Sequence, residues 1–226
     1  MYSILEHYLS TNHILMIGMI VTFILTFFLL EHPFSFLPSD QGRAFAVNGS
    51  LSKGKLRGVG FIFVLCFLIS SVLFLPIDVE YVIYAILLFA MMISGYLDDA
   101  SKTPWNEYKK GLIDLVISVV AVLTYMNFNS TTICFGADEI VIPKALFLIL
   151  GVILIWVSVN VTNCTDGVDG LCASLCSVTL LAFGVLFAPV LQKYAMANFL
   201  FLSVLFAYLY FNSSPSSMLM LSLIHI

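Results

Sequence analysis

Four polar residues recur at intervals of three in the stretch Asn160–Leu171, which reads NVTNCTDGVDGL and interrupts a very apolar chain. They are Asn160, Asn163, Asp166 and Asp169, and a glycine follows each of the two acids. Side chains three residues apart share a helix face, so the spacing predicts a polar stripe. Two carboxylates and two amides, on a backbone that a ligand can approach closely, form a candidate site for a cation and a phosphate. A polar loop between two helices has a similar composition and is the alternative.

A second pair of acids, Asp98 and Asp99, ends an apolar segment that reads GYLDD. Adjacent carboxylates repel each other unless a cation neutralises them or one of them holds a proton. Negative charge at a helix C-terminus also opposes the helix dipole, which favours a functional role over a merely solvated helix end. The pair is a candidate for binding Mg²⁺, or one of the two acids for acting as a general base.

Basic residues cluster in two loops. The loop 31–57 contains Arg43, Lys53, Lys55 and Arg57, and the loop 98–110 contains Lys102, Lys109 and Lys110. Such charges either anchor a loop at the cytoplasmic surface or bind the phosphates of a nucleotide or a lipid. We interpret Lys102 as a phosphate ligand or a partner of the acidic pair, and Lys109 and Lys110 as anchors. A near match to a phosphate-binding loop at 49–55 is rejected, because Leu56 replaces the Mg²⁺-binding hydroxyl and no strand precedes it.

The elements that must position these residues are membrane helices. The chain of 226 residues is 61% hydrophobic and only 10% charged, with a mean hydropathy of +1.07, whereas soluble domains carry about 25% charged residues. Seven apolar runs approach the length of about 20 residues that crosses a bilayer. They cover roughly 13–30, 58–76, 79–97, 112–127, 143–160, 171–191 and 194–211. We therefore expect an all-α, polytopic transmembrane helix bundle that forms one domain over 1–226. The net charge of −4 gives no reason to expect nucleic acid as a partner, and the five cysteines suggest no disulfide framework.

The distribution of Lys and Arg predicts the orientation in the membrane. Seven of the nine fall in the loops 31–57 and 98–110, and positive loops stay cytoplasmic, so the N-terminus is expected outside and both acidic segments inside. Asp114 is the only candidate charge within a span, and it lies near one end of its run. Transporters place ionisable groups near the midplane, so this pattern favours an interfacial enzyme. A non-catalytic transporter or scaffold is the competing class.

Three segments resemble the signatures of one family, the polyprenyl-phosphate N-acetylhexosamine-1-phosphate transferases (glycosyltransferase family 4). GYLDD resembles its GFxDD signature, NVTNCTDGVDGL resembles NxxNxxDGxDGLA, and FNSSP at 211–215 resembles FNxxPA. Thr165, directly before the first DG, resembles the Thr in the NLTDGxDGL pattern of the branch that transfers phospho-N-acetylmuramoyl-pentapeptide. The loop that starts at Gly42 looks like a variant of that branch's first cytoplasmic loop and lacks its Thr-Pro-Thr-Met-Gly-Gly.

The resemblance implies a reaction in the bacterial plasma membrane. Phospho-N-acetylmuramoyl-pentapeptide passes from its UDP donor to undecaprenyl phosphate, giving lipid I and UMP for peptidoglycan synthesis, with Mg²⁺ as cofactor. UDP-N-acetylglucosamine is the alternative donor, and a homodimer is compatible with the fold. The implied catalytic residues are Asp98, Asp99, Asp166 and Asp169, with Asp98 and Asp99 also as metal ligands, and the implied substrate-binding residues are Lys55, Lys102, Asn163 and Asn212.

The end of the chain departs from the family pattern. A Gly-Asp-x-Gly-Ser motif that supplies the main Mg²⁺ ligand is expected after Met220, but the chain reads LSLIHI there. The fold normally has about ten spans and only seven are seen. We therefore expect a C-terminally truncated chain, divergent over 221–226, and the hypothesis follows that this form is inactive while its intact relative is the transferase.

Overall fold

A computed structural model describes residues 1–32, 37–38, 56, 58–101, 105–135, 138–165, 168–213 and 217–218. The elements in chain order are α1 (Tyr2–Tyr8), α2 (Thr11–Glu31), α3 (Gly60–Phe74), α4 (Val79–Ala100), α5 (Glu107–Phe128), β1 (Thr132–Phe135), β2 (Asp138–Val141), α6 (Lys144–Thr165), α7 (Leu171–Phe187) and α8 (Gln192–Asn212). In this part of the chain, α2, α4, α5, α6 and α8 contain segments long and apolar enough to cross a membrane, and α3 and α7 are shorter apolar helices. The prediction of an all-α, multi-pass bundle is confirmed.

The helices α3 to α8 form a ring. Each contacts the next along the chain, and α8 closes the ring against α3, while the α6–α7 contact is the least extensive of the six. The helix α2 packs outside the ring on α3 and α8. Gly18 permits this approach, because a Cβ there would lie only 3.0 Å from the Phe74 side chain and 3.1 Å from that of Leu200.

Two short elements fall outside the predicted spans. The segment between α5 and α6 folds as an antiparallel hairpin in which Thr132 pairs with Val141 and Ile133 with Ile140. All four of these β-branched residues suit a strand, whereas the sequence predicts only a loop here. The helix α1 precedes the first span, where no element had been predicted.

The alternation of the helices brings the polar segments together at one end of the bundle, here called the site end. Gly58, just before α3, lies beside the end of α4, and the Gly170 N–H donates to the Asn212 side chain at 3.0 Å across the ends of α7 and α8. Both glycines have left-handed backbone angles, with φ of 69° at Gly58 and 76° at Gly170, which side-chain-bearing residues rarely adopt. The gathering of polar segments at one end agrees with the order of spans read from the sequence.

The opposite end, here called the far end, is closed by a polar cluster around Glu80. Its carboxylate is 7% exposed and accepts hydrogen bonds from the Tyr84 hydroxyl (3.1 Å), the Asn129 amide (2.7 Å) and the Tyr194 hydroxyl (3.0 Å). These contacts join the start of α4 to the end of α5 and the start of α8. Four polar groups therefore fix the separation of three helices at this membrane surface.

Asp78 adds an ion pair at the same end. Its carboxylate caps α4 by accepting the Tyr81 N–H at 2.8 Å, and it pairs with Lys193 at the start of α8. Slight burial acts to raise the pKa of Asp78, but the hydrogen bond from Lys193, the Tyr81 N–H and the Lys193 charge together lower it below its ordinary value. The ion pair thus gives α4 and α8 a contact that depends on pH.

Candidate active site

Asp98 occupies the last turn of α4 and is almost fully buried, with 3% of its surface exposed. Its Oδ2 lies 2.9 Å from the Lys110 Nζ, and its Oδ1 accepts a 2.9 Å hydrogen bond from the Trp105 N–H. The Ser101 hydroxyl donates to the Asp98 carbonyl at 2.8 Å and covers the end of the helix. An ammonium on one oxygen and an N–H on the other hold this carboxylate in one orientation.

Lys110 reaches Asp98 because of where α5 begins. Asn106 caps α5 by accepting the Tyr108 N–H at 3.2 Å, and Lys110 follows one turn later. The Lys109 Nζ lies 3.4 Å from the centroid of the Trp105 ring, a cation–π contact. Trp105 therefore contacts the end of α4 through its backbone and the start of α5 through its ring, and it fixes the two helices relative to each other.

A cavity of about 490 Å³ opens beside this ion pair. Among the residues that the structure describes, the charged lining residues are Asp98, Lys110 and Asp114, and Asn163, near the end of α6, also lines the cavity. The remaining lining residues are mostly apolar or small: Leu88, Met91, Ser94, Gly95, Ser158, Val159, Thr162, Cys172 and Phe201. The volume lies within the range of about 300–1,000 Å³ typical of small-molecule sites.

The cavity is charged at the site end and apolar towards the middle of the bundle. Leu88 precedes Asp98 by ten residues of α4, a distance of about 15 Å at 1.5 Å per residue, or half of a hydrocarbon core of about 30 Å. A ligand with an anionic head and an apolar tail matches this division.

Asp99 points away from Asp98. Neighbouring residues do not share a helix face, and Asp99 is not part of the cavity lining. It is 8% exposed, and its Oδ2 lies 3.7 Å from the position that a Cβ would take at Gly58. The predicted joint binding of one cation by Asp98 and Asp99 stays a prediction, and these positions place Asp98 on the cavity and Asp99 against the segment before α3.

The polar stripe of α6 continues into a turn held by Asn212. Asn163 faces the cavity, whereas Asp169 is half-buried in the turn before α7. Asn212 is 2% exposed; its Oδ1 accepts the Gly170 N–H and its Nδ2 donates to the Met218 carbonyl at 2.9 Å. Asn212 therefore holds the turn that carries Asp169, and its predicted contact with substrate stays a prediction.

Three predicted site residues, Lys55, Lys102 and Asp166, lie outside the described residues. Their predicted roles stay predictions.

Sequence reasoning missed two residues of the site. Lys110 had been interpreted as an anchor, and Asp114 had been noted only as a charge near the end of a span, yet both line the cavity with Asp98. The available signal was the four-residue interval from Lys110 to Asp114, which places both on one face of α5.

The described residues offer few ligands for a resident metal. No group of three or more His, Cys, Asp or Glu side chains within the described ranges is placed to hold an ion. Asp98 and Asp114 supply carboxylates to one cavity, and Mg²⁺ in proteins is commonly held by one or two carboxylates together with substrate phosphates. The residues present therefore fit an Mg²⁺ ion that arrives with a phosphate ligand.

The fold and the cavity define a class: a multi-pass helical membrane protein with an ion pair between a buried Asp and a partly exposed Lys near one end of the bundle. The family model described as Glycosyl transferase family 4 matches residues 81–220, and the chain belongs to that family. This match includes Asp98, Lys110, Asp114, Asn163 and Asn212.

Several relatives carry the name phospho-N-acetylmuramoyl-pentapeptide-transferase. One from Treponema pallidum (strain Nichols) is 32% identical over an alignment that covers 90% of this chain and 62% of the relative. One from Dictyoglomus turgidum is 25% identical, covering 92% of this chain and 69% of the relative, and one from Microcystis aeruginosa is 29% identical, covering 71% and 47%. The chain thus spans somewhat less than two thirds of the length of the Treponema relative.

Proposed function

We propose that this chain carries the site of a transferase that moves phospho-N-acetylmuramoyl-pentapeptide from UDP to undecaprenyl phosphate and so forms lipid I and UMP. The observation that carries the proposal is the ion pair between the buried Asp98 and Lys110, which lines a cavity that is charged near the site end and apolar towards the middle of the bundle, in a chain of this family. The names of the relatives support the muramoyl-pentapeptide group as the one transferred.

The proposed chemistry is one phosphoryl transfer. An oxygen of the lipid phosphate forms a bond to the sugar-linked phosphorus of the donor, the bond from that phosphorus to the bridging oxygen breaks, and UMP leaves. Such reactions depend mainly on positioning and on stabilising charge at the phosphates. In this proposal Lys110 provides positive charge beside the phosphates, and Asp98 removes a proton from the lipid phosphate or holds a cation.

Mg²⁺ is part of this proposal. Asp98 is the described residue that would hold it, in company with substrate phosphates. When bound, it would neutralise charge on the transferring phosphate.

We also propose that the site end faces the cytoplasm of a bacterial plasma membrane, because nucleotide donors are found there and positive loops stay on that side. Glu139→Cys, on the exposed face of the far-end hairpin, tests the orientation in a background with the native cysteines replaced by serine. A membrane-impermeant maleimide added to intact cells is expected to label it. Labelling only after the cells are opened would reverse the orientation.

The test of function is UMP release in lipid nanodiscs from UDP-N-acetylmuramoyl-pentapeptide, with undecaprenyl phosphate present or omitted. It is run on the chain as it stands and on a chimera of residues 1–220 followed by the remainder of the Treponema relative. Acceptor-dependent UMP release is expected from the chimera, and turnover by the 226-residue chain itself would contradict the hypothesis that this form is inactive. A chimera that releases UMP only from UDP-N-acetylglucosamine would replace the proposed donor, and a folded chimera that releases none would favour a transporter or scaffold.

A further inference from the structure

Asp114 is a carboxylate placed where a membrane protein rarely keeps one. It lies seven residues into α5, about 10 Å from the helix start at 1.5 Å per residue, within a segment that is otherwise apolar enough to span a membrane. Ionisable side chains inside a span are costly and usually face a cavity or a partner. Asp114 is half-buried and lines the cavity that also holds Asp98.

Lys110 stands between these two carboxylates. Its ammonium lies 2.9 Å from Asp98, and no described basic group lies within 4 Å of the Asp114 carboxylate. Lys110 and Asp114 are four residues apart on one helix face, a spacing at which side chains of opposite charge meet. Four rotatable bonds give the Lys110 ammonium a choice between Asp98 on α4 and Asp114 one turn further along its own helix.

The proposed function creates a conflict at Asp98. A carboxylate that binds a divalent cation cannot also keep an ammonium at 2.9 Å without strong repulsion between the two positive charges. Repulsion from the bound cation favours movement of Lys110 away from Asp98, and an ammonium on a side chain that is only 21% exposed is more stable with a new counter-charge. The cavity lining described here contains one other anionic group, Asp114.

We propose that Asp114 is an alternative partner for Lys110, which moves from Asp98 to Asp114 when Asp98 binds a divalent cation. This inference rests on the proposed function, because it takes Asp98 to be a cation ligand. Asp114 is accordingly a positioning residue that acts through Lys110 rather than by touching substrate. The movement keeps Lys110 inside the cavity, where its charge still faces an incoming phosphate.

A double-mutant cycle of Mg²⁺ affinity tests this inference without any measurement of turnover. The proteins, all in nanodiscs, are the chimera described above, its Asp114→Asn and Lys110→Met variants and the double variant. The measurement is titration calorimetry with Mg²⁺ in the presence of UMP as the phosphate ligand. Loss of a group that supports a metal ligand from outside typically weakens metal binding about 10–100-fold, so Asp114→Asn is expected to weaken it about tenfold. In the Lys110→Met background the same substitution is expected to change affinity less than twofold, because no ammonium needs a second partner.

Two further variants keep the result interpretable. Asp114→Glu retains the charge and is expected to bind Mg²⁺ within about threefold of the unsubstituted chimera. Glu139→Gln removes one exposed negative charge at the far end and is expected to leave affinity unchanged. An equal loss on Asp114→Asn in both backgrounds would make Asp114 a direct ligand and overturn the inference. Unchanged affinity in Asp114→Asn would also overturn it while leaving the proposed function in place, whereas absence of Mg²⁺ binding to the unsubstituted chimera would overturn both.

Discussion

Removing the Glu80 carboxylate is expected to destabilise the bundle from the end opposite the site. Glu80→Ala deletes the acceptor of three hydrogen bonds, from Tyr84, Asn129 and Tyr194, and leaves three donors at a poorly exposed helix junction. A hydrogen bond to a charged group is worth about 1.5–3 kcal/mol in soluble proteins, and side-chain hydrogen bonds in one membrane protein average about 0.6 kcal/mol. Asn129 also donates to the Tyr125 carbonyl at 3.3 Å, so it keeps one partner. We therefore expect the free energy of unfolding to fall by about 2–4 kcal/mol.

Unfolding by a titration from mild detergent into sodium dodecyl sulfate, followed by circular dichroism, measures this loss. Glu80→Gln keeps one acceptor oxygen and is expected to lose about half as much as Glu80→Ala. Glu139→Ala, at an exposed position on β2, is the matched control and is expected to stay within about 0.5 kcal/mol of the native chain. If Glu80→Ala also falls within that interval, the cluster does not fix the three helices and the reasoning is refuted.

Three other perturbations have defined outcomes. The pKa of Asp78 is lowered in the folded state, so its pair with Lys193 stabilises the fold at pH values above the ordinary aspartate pKa. This contribution is lost as the pH falls through the lowered pKa. Because Asp78 is half-exposed, Asp78→Asn is expected to reduce the free energy of unfolding by less than about 1 kcal/mol at pH 7 and to leave it unchanged near pH 2 in the same assay. Gly170→Ala places a side chain at φ of 76° and is expected to lower the free energy of unfolding by about 1 kcal/mol in that assay. A decrease of less than about 0.3 kcal/mol would contradict a left-handed backbone at this turn. Lys110→Met leaves Asp98 buried without its ammonium and is expected to lower UMP release by the chimera at least about 100-fold, while Lys109→Met, which loses only the contact with Trp105, is expected to lower it less than about fivefold.

The helices were predictable because their signal is the length of the apolar runs. Each of the seven runs became a helix, and the run at 112–127 extends back to Glu107 because Asn106 caps the helix there. Hydropathy could not show that start, because the first turn of α5 is polar. The hairpin was missed for a related reason, since two strands of four residues carry little periodicity.

The site was predictable in its acids and not in its contacts. The GYLDD segment identifies Asp98 and Asp99 together. Neighbouring residues on a helix face different directions, so the two side chains lie on different surfaces of α4. Only the packing of α3 and α5 against α4 decides which of these surfaces lines the cavity. Lys110 looks like any other positive charge at a membrane surface until the helix start places it on Asp98. Asn212 differs from Lys110, because its motif predicts a contact with substrate, whereas its described hydrogen bonds are to the backbone of Gly170 and Met218.

UMP release by the chimera carrying Asp98→Asn tests the central claim most directly. The substitution keeps the size of the side chain and removes the charge that faces Lys110 and the cavity. We expect turnover to fall at least about 100-fold, the usual minimum for the loss of a general base, with α-helical content retained and with Glu139→Gln fully active. Turnover within about fivefold of the unsubstituted chimera would contradict the assignment of the Asp98 cavity as the active site.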